Sequence, residues 1–279
     1  LNTFTFTLEH EKEQKIVTIE RLPLELILEF MKRINTIITG ASSGLGMEMA
    51  RQFAKLGRNL GICARRVENL EALKIELLEI NPDIQVEVEA LDVNDHDQVF
   101  IVFNKFKAAF GQIDRVIINA GMGKGASIGT GYFHANKQTA ETNFVALIAQ
   151  AEATLEIMRE QKHGHLVAIS SISGFRGYRR ALTVYAATKA AVTNLCEGMY
   201  IDLMGTDIKV SCVHPGFIRS EINEKVKKVP FIVDTETGVK AMVKAIEKEK
   251  LNSHVPIWPW AFLRYVFPII PRSIIRKMS

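Results

Sequence analysis

Apolar and polar positions along this chain change period repeatedly, and each change marks a new element. Thr36, Ile37, Ile38 and Thr39 form a β-branched run of strand character that meets glycines at 40, 44 and 46. Met47, Ala50, Phe53 and Ala54 then recur at helical spacing. Further strand-like runs fall at Asn59–Ala64, Ile84–Ala90, Arg115–Ile118, His165–Ile169, Lys209–Val213 and, weakly, Ser253–Ile257. Helical segments such as Val67–Ile80 and Asp95–Phe110 separate them. Repeated βα units predict an α/β fold: a doubly wound parallel sheet of about seven strands in a single domain, with ligands bound at the carboxyl ends of the strands.

That domain is expected over residues 33–258. Residues 1–32 read as an N-terminal extension, with Glu9, Glu11, Lys12 and Glu13 followed by an apolar stretch, Leu22 to Phe30, that Glu25 and Glu29 interrupt. This is not the pattern of a secretory signal. Two readings stay open: an accessory amphipathic segment over 1–30, or a natural chain that starts at Met31. Residues 259–279 form an apolar aromatic tail, which its prolines and Arg264 cut too often for a membrane-spanning helix.

Composition narrows the function. In 279 residues, 47% hydrophobic content supports a large core, and 35 Lys+Arg against 31 Asp+Glu leave +4 with no basic block long enough for a nucleic-acid groove. Three cysteines, Cys63, Cys196 and Cys212, share no CxxC spacing and read as buried thiols in a cytoplasmic protein. The histidines carry no HExxH-like spacing, so no metal site is expected.

A strand that stops at glycine and passes at once into a helix offers close backbone approach and unsatisfied N–H groups, which favour a phosphate. A lone turn of this kind is a weak signal, but others follow in order: Thr39 to Gly46, Asp92-Val93, Asn119-Ala120-Gly121, Asn143, Ser171, Tyr185-x-x-x-Lys189 and Pro215-Gly216. Together, over about residues 33–258, they resemble the short-chain dehydrogenase/reductase family. The resemblance implies a Rossmann-type fold that binds a nicotinamide dinucleotide.

By that resemblance Gly40, Ser42, Ser43, Gly44, Leu45 and Gly46 wrap the pyrophosphate, Asp92 and Val93 border the adenine, and Asn119, Ala120 and Gly121 support the adenosine ribose. Pro215, Gly216, Ile218 and Ser220 meet the nicotinamide carboxamide. A competing reading makes Asp92 the N-cap of the next helix. The second strand-like run ends in Ala64-Arg65-Arg66, with no acid to hold a ribose 2′-hydroxyl and two guanidinium forks suited to a 2′-phosphate. NADP(H) is the expected cofactor. Pairing of the arginines with Glu68 and Glu71 is the competing account.

Tyr185 and Lys189 stand four apart on one helix face. A lysine ammonium at about 4 Å is worth roughly 4 kcal/mol, enough to lower a phenol by about three pKa units. The resemblance makes Tyr185 the proton donor to a carbonyl, gives Lys189 the nicotinamide ribose as well, lets Ser171 hydrogen-bond the reacting oxygen, and has Asn143 place a relay water. Ser171 to Tyr185 is fourteen positions, one more than is usual, which leaves Ser170 and Ser173 as stand-ins. Glu221 to Thr235 falls where the family has a substrate lid, with Val229, Phe231, Ile232 and Val233 on its apolar side.

The expected activity is NADP(H)-dependent interconversion of a carbonyl and a secondary alcohol on an apolar or lipid-like small molecule. A regulator that senses NADPH on the same fold is the rival, although such members usually lack the tyrosine or the lysine. The resemblance also implies a homodimer or homotetramer paired through the Tyr185 helix. The tail is expected to wall the substrate cleft, to make peripheral contact with a membrane, or simply to cover the core.

Overall fold

The computed structural model describes residues 4–10, 13–19, 33–220 and 231–278. The chain divides into two units, Leu1–Arg33 and Ile34–Ser279. In the first, β1 (Phe4–His10) and β2 (Glu13–Ile19) form an antiparallel hairpin whose register runs from Phe4 opposite Ile19 to His10 opposite Glu13. The sequence reading placed no strand here. The signal was the period of two at Phe4, Phe6 and Leu8, short enough to pass for loop. The Leu22–Phe30 stretch lies outside the described residues.

The second unit holds a seven-stranded parallel sheet in the order β5-β4-β3-β6-β7-β8-β9. Its strands are β3 (Asn35–Thr39), β4 (Asn59–Ala64), β5 (Val86–Ala90), β6 (Arg115–Ile118), β7 (His163–Ile169), β8 (Asp207–Pro215) and β9 (Asn252–Val255). The last strand ends two residues before the predicted Ile257 because Pro256 has no N–H to continue the ladder. Helices α1 (Gly44–Lys55), α2 (Val67–Ile80) and α7 (Thr235–Ile246) cover one face, where Met49, Phe53, Leu70, Val239 and Met242 are buried. Helices α3 (His96–Phe110), α5 (Ala146–Gln161) and α6 (Leu182–Asp202) cover the other with Phe103, Phe106, Leu147, Met158 and Cys196. Cys63, Cys196 and Cys212 are buried thiols.

At the amino end of β6 the sheet buries a cation. Arg115, 1% exposed, pairs with Glu247 and lies 3.5 Å from Glu249. Arg58 meets the same Glu247 at 2.9 Å, and the His165 Nδ1 accepts from the Arg115 Nε at 3.0 Å. The carboxyl ends of β3, β4 and β6 open instead into a cleft.

Candidate active site

The cleft begins where β3 turns into α1. Gly40 has φ +66°, and a Cβ on it would stand 2.9 Å from the Ala120 Cα. A Cβ on Gly46 would meet the Gly40 carbonyl oxygen at 2.4 Å, so the helix seats against the turn only without a side chain there. Asn119 locks the arrangement: its Nδ2 donates to the carbonyls of Thr39 (3.0 Å) and Gly40 (3.3 Å), and its own N–H donates to the Thr39 hydroxyl. Ser43, at the α1 N-cap, accepts no capping hydrogen bond through its side chain from the first helical N–H groups.

A cavity of about 420 Å³ brings together Gly40, Ser42, Ser43, Gly44, Leu45, Arg65, Arg66, Asp92, Val93, Asn119, Ala120, Gly121 and Ser220. Gly46 lies behind it in the packing of α1. Asn94, Met122 and Thr142 also line it, residues the sequence reading passed over. Asn94 and Thr142 are joined at 3.1 Å, a contact across 48 positions that no local pattern announces. At the rim the Arg66 guanidinium donates to the Ser42 hydroxyl (3.3 Å) and the Ser43 hydroxyl (2.5 Å). Arg65 is largely exposed and 3.9 Å from Asp92. The Asp92 carboxylate accepts from the N–H and amide of Asn94, whereas Asp95 caps α3 through the Gln98 N–H. The N-cap account of Asp92 is therefore wrong by three residues.

The four predicted catalytic residues converge beside this cavity. Asn143 sits in a π-helical turn, Glu141–Val145, between α4 (Phe133–Ala140) and α5. Such bulges often mark functional positions. Its Oδ1 accepts from the Met122 N–H and its Nδ2 donates to the Met122 carbonyl, both at 2.8 Å. The side chain thus pins the strand-end loop. Ser171 caps the 3-10 turn Ile172–Phe175 by accepting from the Ser173 N–H at 3.1 Å, and its hydroxyl acts on the Tyr185 phenol. Ser170 is no stand-in, since its hydroxyl donates to the Lys189 carbonyl inside α6. The extra residue between Ser171 and Tyr185 falls in a loop where Arg180 is left-handed, with φ +59°.

Lys189 behaves differently from the sequence expectation. Its ammonium is buried, donates to the Ile169 carbonyl at 2.8 Å and lies 5.9 Å from the Tyr185 ring centroid. Burial lowers it to about 8, while Cys212 and Cys196 pull the other way. The Tyr185 phenol is raised above its ordinary value by burial, against a smaller lowering by Ser171. The expected depression of the phenol by Lys189 is corrected: the ammonium is turned to the Ile169 carbonyl, and burial sets the direction of the phenol's shift. The phenol is consequently protonated across the neutral range.

Beyond β8, the Gly216 N–H donates to the Val255 carbonyl at 2.8 Å. The Ile218 side chain is buried under Gly238 of α7, where a Cβ would come within 2.6 Å of it. Of the predicted lid, Val233 pairs with Ile218, Phe231 is mostly exposed, and Val229 lies outside the described residues. A further residue the sequence reading did not single out is Trp260, on α8 (Ile257–Val266). It is 1% exposed, and its indole fills the space a Gly216 side chain would need, with Nε1 2.0 Å from that Cβ position. Trp260, Leu263 and Phe267 recur at helical spacing and pack with Ile172, Phe175 and Phe217, so this face of the tail covers the core beside the site.

Fold and cleft together define a doubly wound α/β protein with a polar, glycine-walled site at the strand ends. A family model described as short chain dehydrogenase matches residues 35–230. An uncharacterised oxidoreductase of Mycobacterium tuberculosis is 45% identical over 253 residues, which cover 91% of this chain and 100% of that one. A short-chain dehydrogenase from Sphingobium yanoikuyae in complex with NADPH superposes with TM-score 0.73 at 26% identity, covering 83% of this chain and 91% of the other. One from Burkholderia phymatum in complex with NAD gives TM-score 0.74 at 21% identity, covering 84% and 94%. This chain belongs to the short-chain dehydrogenase family of oxidoreductases.

Proposed function

We propose that this chain is an NADP(H)-dependent oxidoreductase that interconverts a carbonyl and a secondary alcohol on an apolar substrate. The observation that carries the reading is the convergence of Ser171, Tyr185 and Lys189 beside a cavity rimmed by Arg65 and Arg66. The residues present fit a dinucleotide. Gly40 and Gly46 form a turn that side chains would block, and β4 ends in Ala64 with no carboxylate to repel a 2′-phosphate. Arg65 and Arg66 would hold that phosphate, and Lys189 would hold the nicotinamide ribose. When bound, the dinucleotide supplies or accepts the hydride.

The protein's own part is proton handling and orientation. Tyr185, protonated at neutral pH, donates its phenolic proton to the substrate oxygen in reduction and takes it back in oxidation. Ser171 hydrogen-bonds that same oxygen as charge develops on it. Asn143 fixes the Met122 loop that walls the site and orders the proton path behind Lys189. Phe217 and Phe231, packed on Trp260, supply an apolar wall near the lid. A homo-oligomer paired through α6 completes the reading, since Tyr200 and Ile201 of that helix are 41% and 59% exposed.

The test is a panel of ketones and aldehydes of graded chain length, assayed with NADPH and with NADH by loss of cofactor absorbance. Turnover that prefers NADPH and longer apolar carbonyls supports the reading. Tight NADPH binding without turnover on any carbonyl would support a sensor instead.

A further inference from the structure

The tail has two apolar faces, and among the described residues only one of them is covered. On the side away from Trp260, Leu263 and Phe267, Phe262 and Tyr265 of α8 are 59% and 65% exposed, flanked by Trp258 at a non-helical kink (φ −96°, ψ 132°) and Ile269 in the following 3-10 turn, which are 74% and 77% exposed. A helix that merely covers a core needs one apolar stripe. The Trp258 and Phe262 rings stack at 6.4 Å, so these two exposed aromatics form one surface.

Charge indicates what that surface meets. Residues 255–279 contain Arg264, Arg272, Arg276 and Lys277 and no acidic residue, which equals the whole formal net charge of +4. Four arginines, Arg176, Arg179, Arg272 and Arg276, line a cavity of about 500 Å³ with Tyr178 and Ile275, and among the described residues no carboxylate lines it. Arg176 donates to the carbonyls of Phe267, Pro268 and Ile270, which fixes the cavity beside Ile269 at the end of the stripe.

We propose that this face docks onto a bilayer containing acidic phospholipid. The stripe enters the boundary between headgroups and acyl chains, where aromatic side chains concentrate, and the arginine-lined cavity takes lipid phosphates. Two copies paired symmetrically through this face would bring two basic tails together. A soluble phosphate would satisfy the arginines but leave the stripe in water. An acidic bilayer answers both features.

The experiment is co-sedimentation of the full chain with vesicles of phosphatidylcholine alone and of phosphatidylcholine mixed with phosphatidylglycerol, so it reads binding and not catalysis. Binding to the mixed vesicles is expected to be at least about tenfold tighter than to the neutral ones. Arg272→Gln with Arg276→Gln should weaken it about 25-fold, at about fivefold per basic residue. Trp258→Ser with Phe262→Ser, both exposed positions, should weaken it at least about tenfold with circular dichroism unchanged. Of the chain's two tryptophans Trp260 is buried, so a blue shift on vesicle addition reports Trp258 and should vanish in Trp258→Phe. Three results would overturn the proposal. One is equal binding to neutral and acidic vesicles. Another is release by excess inorganic phosphate together with normal binding by the Trp258/Phe262 variant, which would mean a free-phosphate site. The third is no vesicle binding together with dissociation of an oligomer in that variant, which would mean that a second copy covers the stripe.

Discussion

The two ends of the sheet each bury a cation, but on different terms. At the amino end Arg115 is met by Glu247 and Glu249, with Arg58 sharing Glu247. At the carboxyl end Lys189 has a carbonyl for a partner, and among the described residues no carboxylate forms an ion pair with it. Burial lowers both groups. The guanidinium stays charged regardless and acts as a clamp among its carboxylates. The lysine falls to about 8, close to where a proton can be exchanged. A buried cation with counter-ions holds the fold together. One without them lowers stability, as the burial of Lys189 does.

The largest effect that follows is on turnover. Tyr185→Phe removes only the hydroxyl, leaving the ring on α6 and the Gly40–Gly46 turn in place. Carbonyl reduction should drop by about 10²–10⁴-fold, or about 3–5.5 kcal/mol in the barrier, with cofactor titration and thermal melting nearly unchanged. Near-normal turnover at saturating NADPH would sink the assigned role.

At the other end the loss should fall on stability. Glu247→Ala leaves Arg115 and Arg58 without their shared carboxylate, and urea unfolding should show a loss of about 3 kcal/mol while the turnover of the folded fraction stays normal. Acid supplies an independent check. Burial pushes Glu247 up, but Arg115 and Arg58 outweigh it and hold the carboxyl below its ordinary 4.5. The group whose folded pKa is depressed stabilises above the unfolded value and loses that contribution as pH falls through the folded one. Below about pH 4.5 wild type should lose stability more steeply than Glu247→Gln. Parallel curves would separate Glu247 from the acid limb.

How legible these two ends were in the sequence differs for a physical reason. The glycine turn, the Tyr185–Lys189 pair and the end of β4 were readable because each is a local spacing, and local spacing sets which residues share a turn or a helix face. The Arg115 clamp joins residues 132 positions apart, and Trp260 under Gly216 joins residues 44 apart. No period relates such partners. The ionisation of Tyr185 was misread for the same reason. Four-residue spacing places the lysine on the correct face but says nothing of the Ile169 carbonyl that claims its ammonium.

A smaller effect sharpens the contrast between the cations. From its ordinary 10.5 to about 8, the shift at Lys189 corresponds to about 3 kcal/mol of destabilisation. Lys189→Met should therefore raise stability at pH 7, by about 2 kcal/mol once the hydrogen bond to Ile169 is lost, while turnover and cofactor affinity collapse. Between about pH 8 and 10.5 the unfolded chain binds the proton that the folded lysine has released, so wild-type stability gains a rising contribution there. The variant should lack it. Urea midpoints of both proteins across this window decide the matter, and a variant less stable than wild type at pH 7 would make Lys189 a structural residue after all.

The smallest expected effect concerns a third kind of cation, exposed and weakly held. Arg65 has a side chain 70% exposed and reaches Asp92 only at 3.9 Å, a pair that solvent screens almost completely. Removing it should cost the fold almost nothing, unlike Glu247→Ala. The neighbouring Arg66 is tied back to the Ser42 and Ser43 hydroxyls, so it shapes the turn as well as the rim. Arg65 is then the side chain that can move to an incoming 2′-phosphate without releasing a partner of consequence. Arg65→Ala should weaken NADPH by about 1.5–3 kcal/mol, about 10- to 150-fold, and NADH by little, as read by titration of each dinucleotide. Arg65→Lys keeps the charge but loses the planar fork, and it should recover only part of the difference. Equal losses for NADPH and NADH would place Arg65 outside phosphate recognition. A wild-type preference for NADH would remove the NADP(H) assignment while leaving the Tyr185 prediction untouched.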